Sequence, residues 1–254
     1  METTYVNGWY LRTDGRIGPW TILPNQQPTS YQIWNAYKVK TYLENLGWSL
    51  SAICGTIGSM VHESTLSPAL IEETNRWRLP NSAANLSDVP NSVMQNFYRQ
   101  YYGDPERGYG IGLVQWDGLG ITRQKLVGYC ENNGLVWYEG DSQMSRIQYE
   151  QENDLQWTPR TYYGTLWTWD NYVINTRSPE NSANIWLQCY EISGGQTERE
   201  GNARWFYDYF TEHPDPPPVP PDPPVPPVPT RKNIIYWISK KKRRIDYNVK
   251  IKVQ

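Results

Sequence analysis

Two histidines, three cysteines, four methionines and three phenylalanines are spread over 254 residues, and these shortages close off whole classes of protein. Cys54, Cys130 and Cys189 are odd in number and widely spaced, so they make neither a disulfide framework nor a zinc-binding array. His62 and His213 are too few to build a zinc hydrolase. Cys54 and His62 would lie about 12 Å apart along one helix at 1.5 Å per residue, too far for a thiolate–imidazole pair. No run approaches the roughly 20 apolar residues of a membrane span, and Met-Glu-Thr-Thr-Tyr has neither the basic nor the apolar region of an export leader. No metal site, no cofactor and no transmembrane span are expected. If the protein works outside the cell that makes it, something else carries it there.

What is present is aromatic and carboxylate. Thirteen Trp and twenty Tyr supply apolar rings with a polar handle, suited to cores, interfaces and sugar-stacking surfaces. The 38% hydrophobic content is enough for a substantial core. Net charge is −2, but residues 231–254 carry nine basic side chains and one acid, so a +8 tail follows a body of −10. That acidic body argues against nucleic-acid binding, although the basic tail alone would permit it.

The organising stretch is S-L-S-A-I-C-G-T-I-G-S-M-V-H-E-S, residues 49–64. Leu50, Ile53, Ile57 and Val61 share a helical stripe, and Ser49 or Ser51 can cap its start. Gly55 and Gly58 each cost a helix interior about 1 kcal/mol relative to Ala, which implies close approach of a neighbouring backbone. The helix ends at His62 and Glu63. A carboxyl there meets the negative end of the helix dipole, and in an apolar setting it would hold its proton toward neutral pH.

Around this helix, residues 1–29 read as a short β-type extension with a hairpin turn at Thr13-Asp14-Gly15-Arg16. A helix is predicted from Ser30, with Gly47 as its C-cap. Residues 65–108 are broken by Pro68, Pro80, Pro90 and Pro105, with a helical middle from Val93 to Tyr102. In Gly110-Ile111-Gly112-Leu113-Val114-Gln115-Trp116, an extended backbone would align Ile111, Leu113 and Gln115 on one side. Further helices are predicted over 121–132, 142–156, 163–169, 179–192 and 198–210. The proline run at 214–229 is a polyproline II spacer, or less plausibly a ligand for a proline-reading domain.

The order H-E-S at 62–64, G-I-G-L-V-Q-W at 110–116, Y-E-I-S-G-G at 190–195 and E-R-E-G-N-A-R-W-F at 198–206 resembles the phage tail lysozyme family. That family is related to goose-type lysozymes and lytic transglycosylases. The resemblance covers residues 30–212 and implies a mainly α, lysozyme-like fold (α+β in the lysozyme sense), a helical two-lobed domain with a cleft. The expected organisation is thus a 1–29 extension, a 30–212 catalytic domain, a 213–230 linker and a 231–254 tail.

By the same resemblance Glu63 is the general acid of a glycosidase acting on peptidoglycan, cutting between N-acetylmuramic acid and N-acetylglucosamine. Gln115 sits on the opposite cleft wall, and Tyr190 corresponds to a tyrosine near the catalytic acid. Trp116 and Tyr109 are candidates to contact the glycan, with core packing the alternative for Trp116. Ser64 either bonds the glutamate or closes the helix end. Asp117 and Asp88 are the candidate second carboxylates. A gap of roughly 6.5 to 9.5 Å to Glu63 would suit inversion and about 5 Å retention; with neither, the substrate's own hydroxyl attacks and gives an anhydro product.

The expected location is the virion tail, with the C-terminal tail contacting other phage tail proteins. The alternatives are an endolysin that accumulates in the host cytoplasm before lysis, and a glycan-binding structural tail protein without activity.

Overall fold

The computed structural model describes residues 3–12, 27–70, 91, 110–116, 122–192 and 197–221. The predicted turn at 13–16, the helix at 93–102, the second half of the proline run and the basic tail lie outside the described residues, as do Tyr109, Asp88 and Asp117. The described part is mainly helical, as expected. In chain order it comprises β1 (Thr3–Val6), β2 (Trp9–Arg12), α1 (Ser30–Asn45), α2 (Leu50–Ser64), α3 (Thr122–Asn132), α4 (Gly140–Glu152), β3 (Arg160–Tyr162), β4 (Thr165–Trp167), α5 (Trp169–Val173), α6 (Pro179–Trp186), a π-helical turn (Leu187–Glu191) and α7 (Thr197–Glu212). Among the described residues no helix is long and apolar enough to cross a membrane.

Helix α2 is the axis of the fold. The Ser49 hydroxyl caps it by accepting from the Ala52 N–H, and Thr65 closes it in the left-handed conformation (φ 54°). The sequence stripe understates its burial, because twelve of its fifteen residues are buried. The small residues on its other faces explain this. A β-carbon at Gly55 would lie 2.6 Å from the Ser182 carbonyl carbon of α6, and one at Gly58 would lie 2.5 Å from the Arg199 carbonyl oxygen of α7. Both helices therefore rest directly on the α2 backbone. Gly58→Ala is expected to destabilise the protein by about 1–3 kcal/mol in urea unfolding, despite Ala's better helix propensity, because α7 must move to admit the methyl.

The tryptophans are mainly core, and their N–H groups explain why the core uses Trp rather than Phe. Trp48, Trp157, Trp169 and Trp186 cluster with Tyr172 and Tyr190, Trp186 stacking on Tyr190 at 4.1 Å. Each indole N–H has an acceptor: Gln151 for Trp48, the Trp167 carbonyl for Trp157, the Leu155 carbonyl for Trp169 and Glu191 for Trp186.

Of two antiparallel hairpins, the second departs from the sequence expectation. The first turns at Asn7-Gly8 (φ 49° and 85°), a two-residue pair suited to left-handed backbone. It docks through the Asn35 side chain, which donates to the Tyr10 carbonyl (2.7 Å) and accepts from the Tyr10 N–H (3.0 Å). The Trp9 ring lies over Gly140, where a β-carbon would sit 2.1 Å from it. The second hairpin, β3–β4, replaces the helix predicted over 163–169. Tyr163 and Gly164 take the left-handed turn conformation (φ 51° and 73°), and Thr168 caps a helix that starts only at Trp169.

The start of the proline run is neither helix nor strand and lies back on the body. The Tyr37 hydroxyl donates to the His213 carbonyl and the Tyr10 hydroxyl to the Pro220 carbonyl.

Candidate active site

Glu63 stands on the last turn of α2, its side chain 23% exposed. The backbone reverses directly behind it, with Thr65 and Leu66 both left-handed (φ 54° and 61°). Such residues cost of order 1–3 kcal/mol each and persist where the surroundings hold them. Ser64 supplies part of that hold. Its hydroxyl is bonded to the Met60 carbonyl (2.9 Å) and to the Leu113 carbonyl (2.8 Å), tying the helix end to the glycine-rich loop.

That loop is a closed turn rather than an extended segment. Ile111 and Trp116 pair across it, and Gly112 and Gln115 have positive φ (76° and 50°). Gln143, fully buried on α4, clamps it: its Oε1 accepts from the Leu113 N–H (2.8 Å), and its Nε2 donates to the carbonyls of Pro68 and Trp137. The Gln115 amide bonds the Gly112 carbonyl (2.9 Å) and lies over Gly110, where a β-carbon would meet it at 2.5 Å. The structure thus brings the Gln115 loop to the end of the helix that carries Glu63, through Ser64.

The neighbour of Glu63 is a cation. Arg199 on α7, 3% exposed, donates through Nη2 to Glu63 Oε1, and its Nη1 lies 2.7 Å from Glu191 Oε2. The π-helical turn sends Glu191 inward, its side chain 9% exposed, and Trp186 Nε1 donates to its Oε1 at 3.0 Å. Burial pushes the Glu191 carboxyl up to about 8; Arg199 opposes this and the Glu63 charge adds to it. Burial and Arg199 also depress the neighbouring His62 imidazole, which is therefore neutral at pH 7.

The sign of the linked stability follows. Between the usual carboxylate value of 4.5 and about 8, folded Glu191 holds a proton that the unfolded chain releases, so its contribution to stability falls as pH rises through that window. Unfolding midpoints of Glu191→Gln, measured from pH 5 to 8, are expected to decline less steeply than those of the parent.

Trp116 and Tyr190 belong to a second buried cluster. Trp116, 2% exposed, donates its indole N–H to Glu150 (3.3 Å), and the Tyr190 hydroxyl donates to the other oxygen of Glu150 (2.6 Å). Arg146 completes the set through Nε at 2.9 Å. Neither ring faces solvent, so both act from within, Trp116 holding the 110–116 loop and Tyr190 the π-helical turn to Glu150. Sequence reading did not assign Arg199, Glu191, Glu150 or Gln143. The first two sit inside the quoted motifs at 198–206 and 190–195, where a basic residue and a second acid were the available signals.

The sequence model of the phage tail lysozyme family matches residues 34–210, most of the chain. Morphogenesis protein 1 of Bacillus phage B103 is 29% identical over 179 residues, which are 70% of this chain and 39% of that protein. The chain spans well under half the length of this relative. A family match that runs from α1 through α7, and takes in Glu63, the 110–116 loop and Arg199, shows that the chain belongs to the phage tail lysozyme family.

Proposed function

We propose that this protein is a peptidoglycan-degrading glycosidase carried in the phage particle, with Glu63 as the general acid. A glycosidic bond breaks when its leaving oxygen is protonated as positive charge develops on the sugar ring. The observation that carries the reading is Glu63 itself: a partly exposed carboxyl at the end of a largely buried helix, held on one side by Arg199 and joined through Ser64 to the 110–116 loop. On this reading residues 30–212 are the catalytic unit, and Gln115 lines the wall facing the bound glycan. The second carboxylate, Asp117 or Asp88, activates water or acts as nucleophile, or the substrate's own hydroxyl attacks. Residues 213–230 and the basic 231–254 segment tether the enzyme to other tail proteins.

The test is digestion of purified peptidoglycan by the full chain, with mass analysis of the soluble products. Muropeptides with reducing N-acetylmuramic acid ends are expected from a hydrolase and anhydro ends from a transglycosylase. Failure to release any soluble fragment overturns the reading.

A further inference from the structure

Arg199 serves two acids at once. Its guanidinium meets Glu63 through one amino group and Glu191 through the other, and its side chain is only 4% exposed. Two carboxylates and one cation would leave an uncompensated negative charge beside the buried Arg199 and Glu191 side chains, which burial disfavours. One added proton removes that charge. It can sit on either acid, with Arg199 balancing whichever remains ionised, so the net charge is the same in both arrangements. The other titratable groups nearby are His62 on α2, Glu198 on α7, and Tyr172 and Tyr190 behind Glu191. With His62 depressed, the two acids are left as the natural holders of the proton.

We propose that Glu191 is a positioning residue for the acid step: Glu63 and Glu191 share one proton across Arg199, which reaches Glu63 when substrate binds. In the resting site the proton is on Glu191 and Arg199 pairs with the Glu63 carboxylate. In the loaded site the Glu191 O–H bond breaks and an O–H bond forms on Glu63 through solvent at its exposed edge. Arg199 then pairs with the Glu191 carboxylate, and the guanidinium keeps all its protons. Once Glu63 gives its proton to the leaving oxygen, Arg199 returns to it and Glu191 takes up one proton from solvent, which restores the resting site. The elevation of Glu191 by burial fits its role as the resting holder. The proposal rests on Glu63 being the general acid, as proposed above.

Two measurements test it. Carbon-13 NMR of the full chain labelled at glutamate side-chain carboxyls is expected to show one carboxyl titrating near 8, absent in Glu191→Gln and shifted to lower pH in Glu63→Gln. In pH–rate profiles, Glu191→Gln leaves Arg199 permanently on Glu63. At pH 7.5 kcat is then expected to fall about tenfold, with the alkaline limb moved to lower pH, KM changed less than about twofold and Glu191→Asp restoring part of the loss. Absence of a carboxyl titrating near 8 overturns the proposal, as does a Glu191→Gln profile of parental shape, whether at full activity or uniformly reduced. Those results, with turnover in the parent that Glu63→Gln abolishes, leave the glycosidase reading standing. No turnover in the parent overturns both. If Glu191→Gln does not fold, the NMR comparison of the parent with Glu63→Gln decides.

Discussion

Glu63→Gln is expected to lower turnover on peptidoglycan by about 10²- to 10⁴-fold, the range general acid catalysis contributes, with glycan binding retained. The amide keeps the shape of the side chain and an oxygen that can still accept from Arg199, but it has no proton to give. The fold should survive, because Arg199 keeps its contact with Glu191 at 2.7 Å. A matching thermal midpoint with lost turnover separates a chemical role from a structural one. A variant within tenfold of the parent would remove Glu63 from the mechanism and point to another proton donor. Equal inactivity of parent and variant, with binding intact in both, would make the chain a glycan-binding tail component.

Arg146→Met carries the largest expected cost in stability, about 3–5 kcal/mol by denaturant unfolding, because it strips the cation from a fully buried carboxyl. Glu150 would keep Tyr190 and Trp116 as donors, but no positive charge would remain in contact with it. The Arg146 guanidinium also faces the rings of Tyr129 and Tyr149 at 5.5 and 5.2 Å, contacts that Met replaces only in part. Burial already pushes the Glu150 carboxyl up, and losing Arg146 pushes it further. The defect should therefore shrink at acid pH, where Glu150 is neutral in folded and unfolded chains alike. Arg146→Met combined with Glu150→Gln should be more stable than Arg146→Met alone, since the charge that lost its partner is gone. Additive losses would show that the pair is not energetically coupled. Activity should fall with stability, because Glu150 anchors both the 110–116 loop, through Trp116, and the π-helical turn, through Tyr190.

Local signals in the sequence were informative where one segment contained all the parts. Ser49, the Leu50–Ile53–Ile57–Val61 stripe and Gly47 are enough to place α2 and its entry, and Gly55 and Gly58 announce a close neighbour without saying which. The β3–β4 hairpin is hard to read from the sequence because Tyr162, Thr165 and Trp167 suit a short helix as well as two short strands. Gly164 following an aromatic was the overlooked sign. The Asn7-Gly8 hairpin carries a stronger signal of the same kind, seven residues before Asp14-Gly15, which lies outside the described residues.

The buried helix, the acid at its end, the mainly helical class and the family are legible in the chain alone, because capping, periodicity and motif order are properties of neighbouring residues or of their succession. What surrounds that acid depends on segments far away in the chain. Arg199 lies 136 residues from Glu63, and Glu150 lies 34 from Trp116 and 40 from Tyr190. The charge a carboxyl carries depends on burial and on the cation beside it. Both are set when α7 and the π-helical turn close over α2, and neither is written in the residues adjoining Glu63.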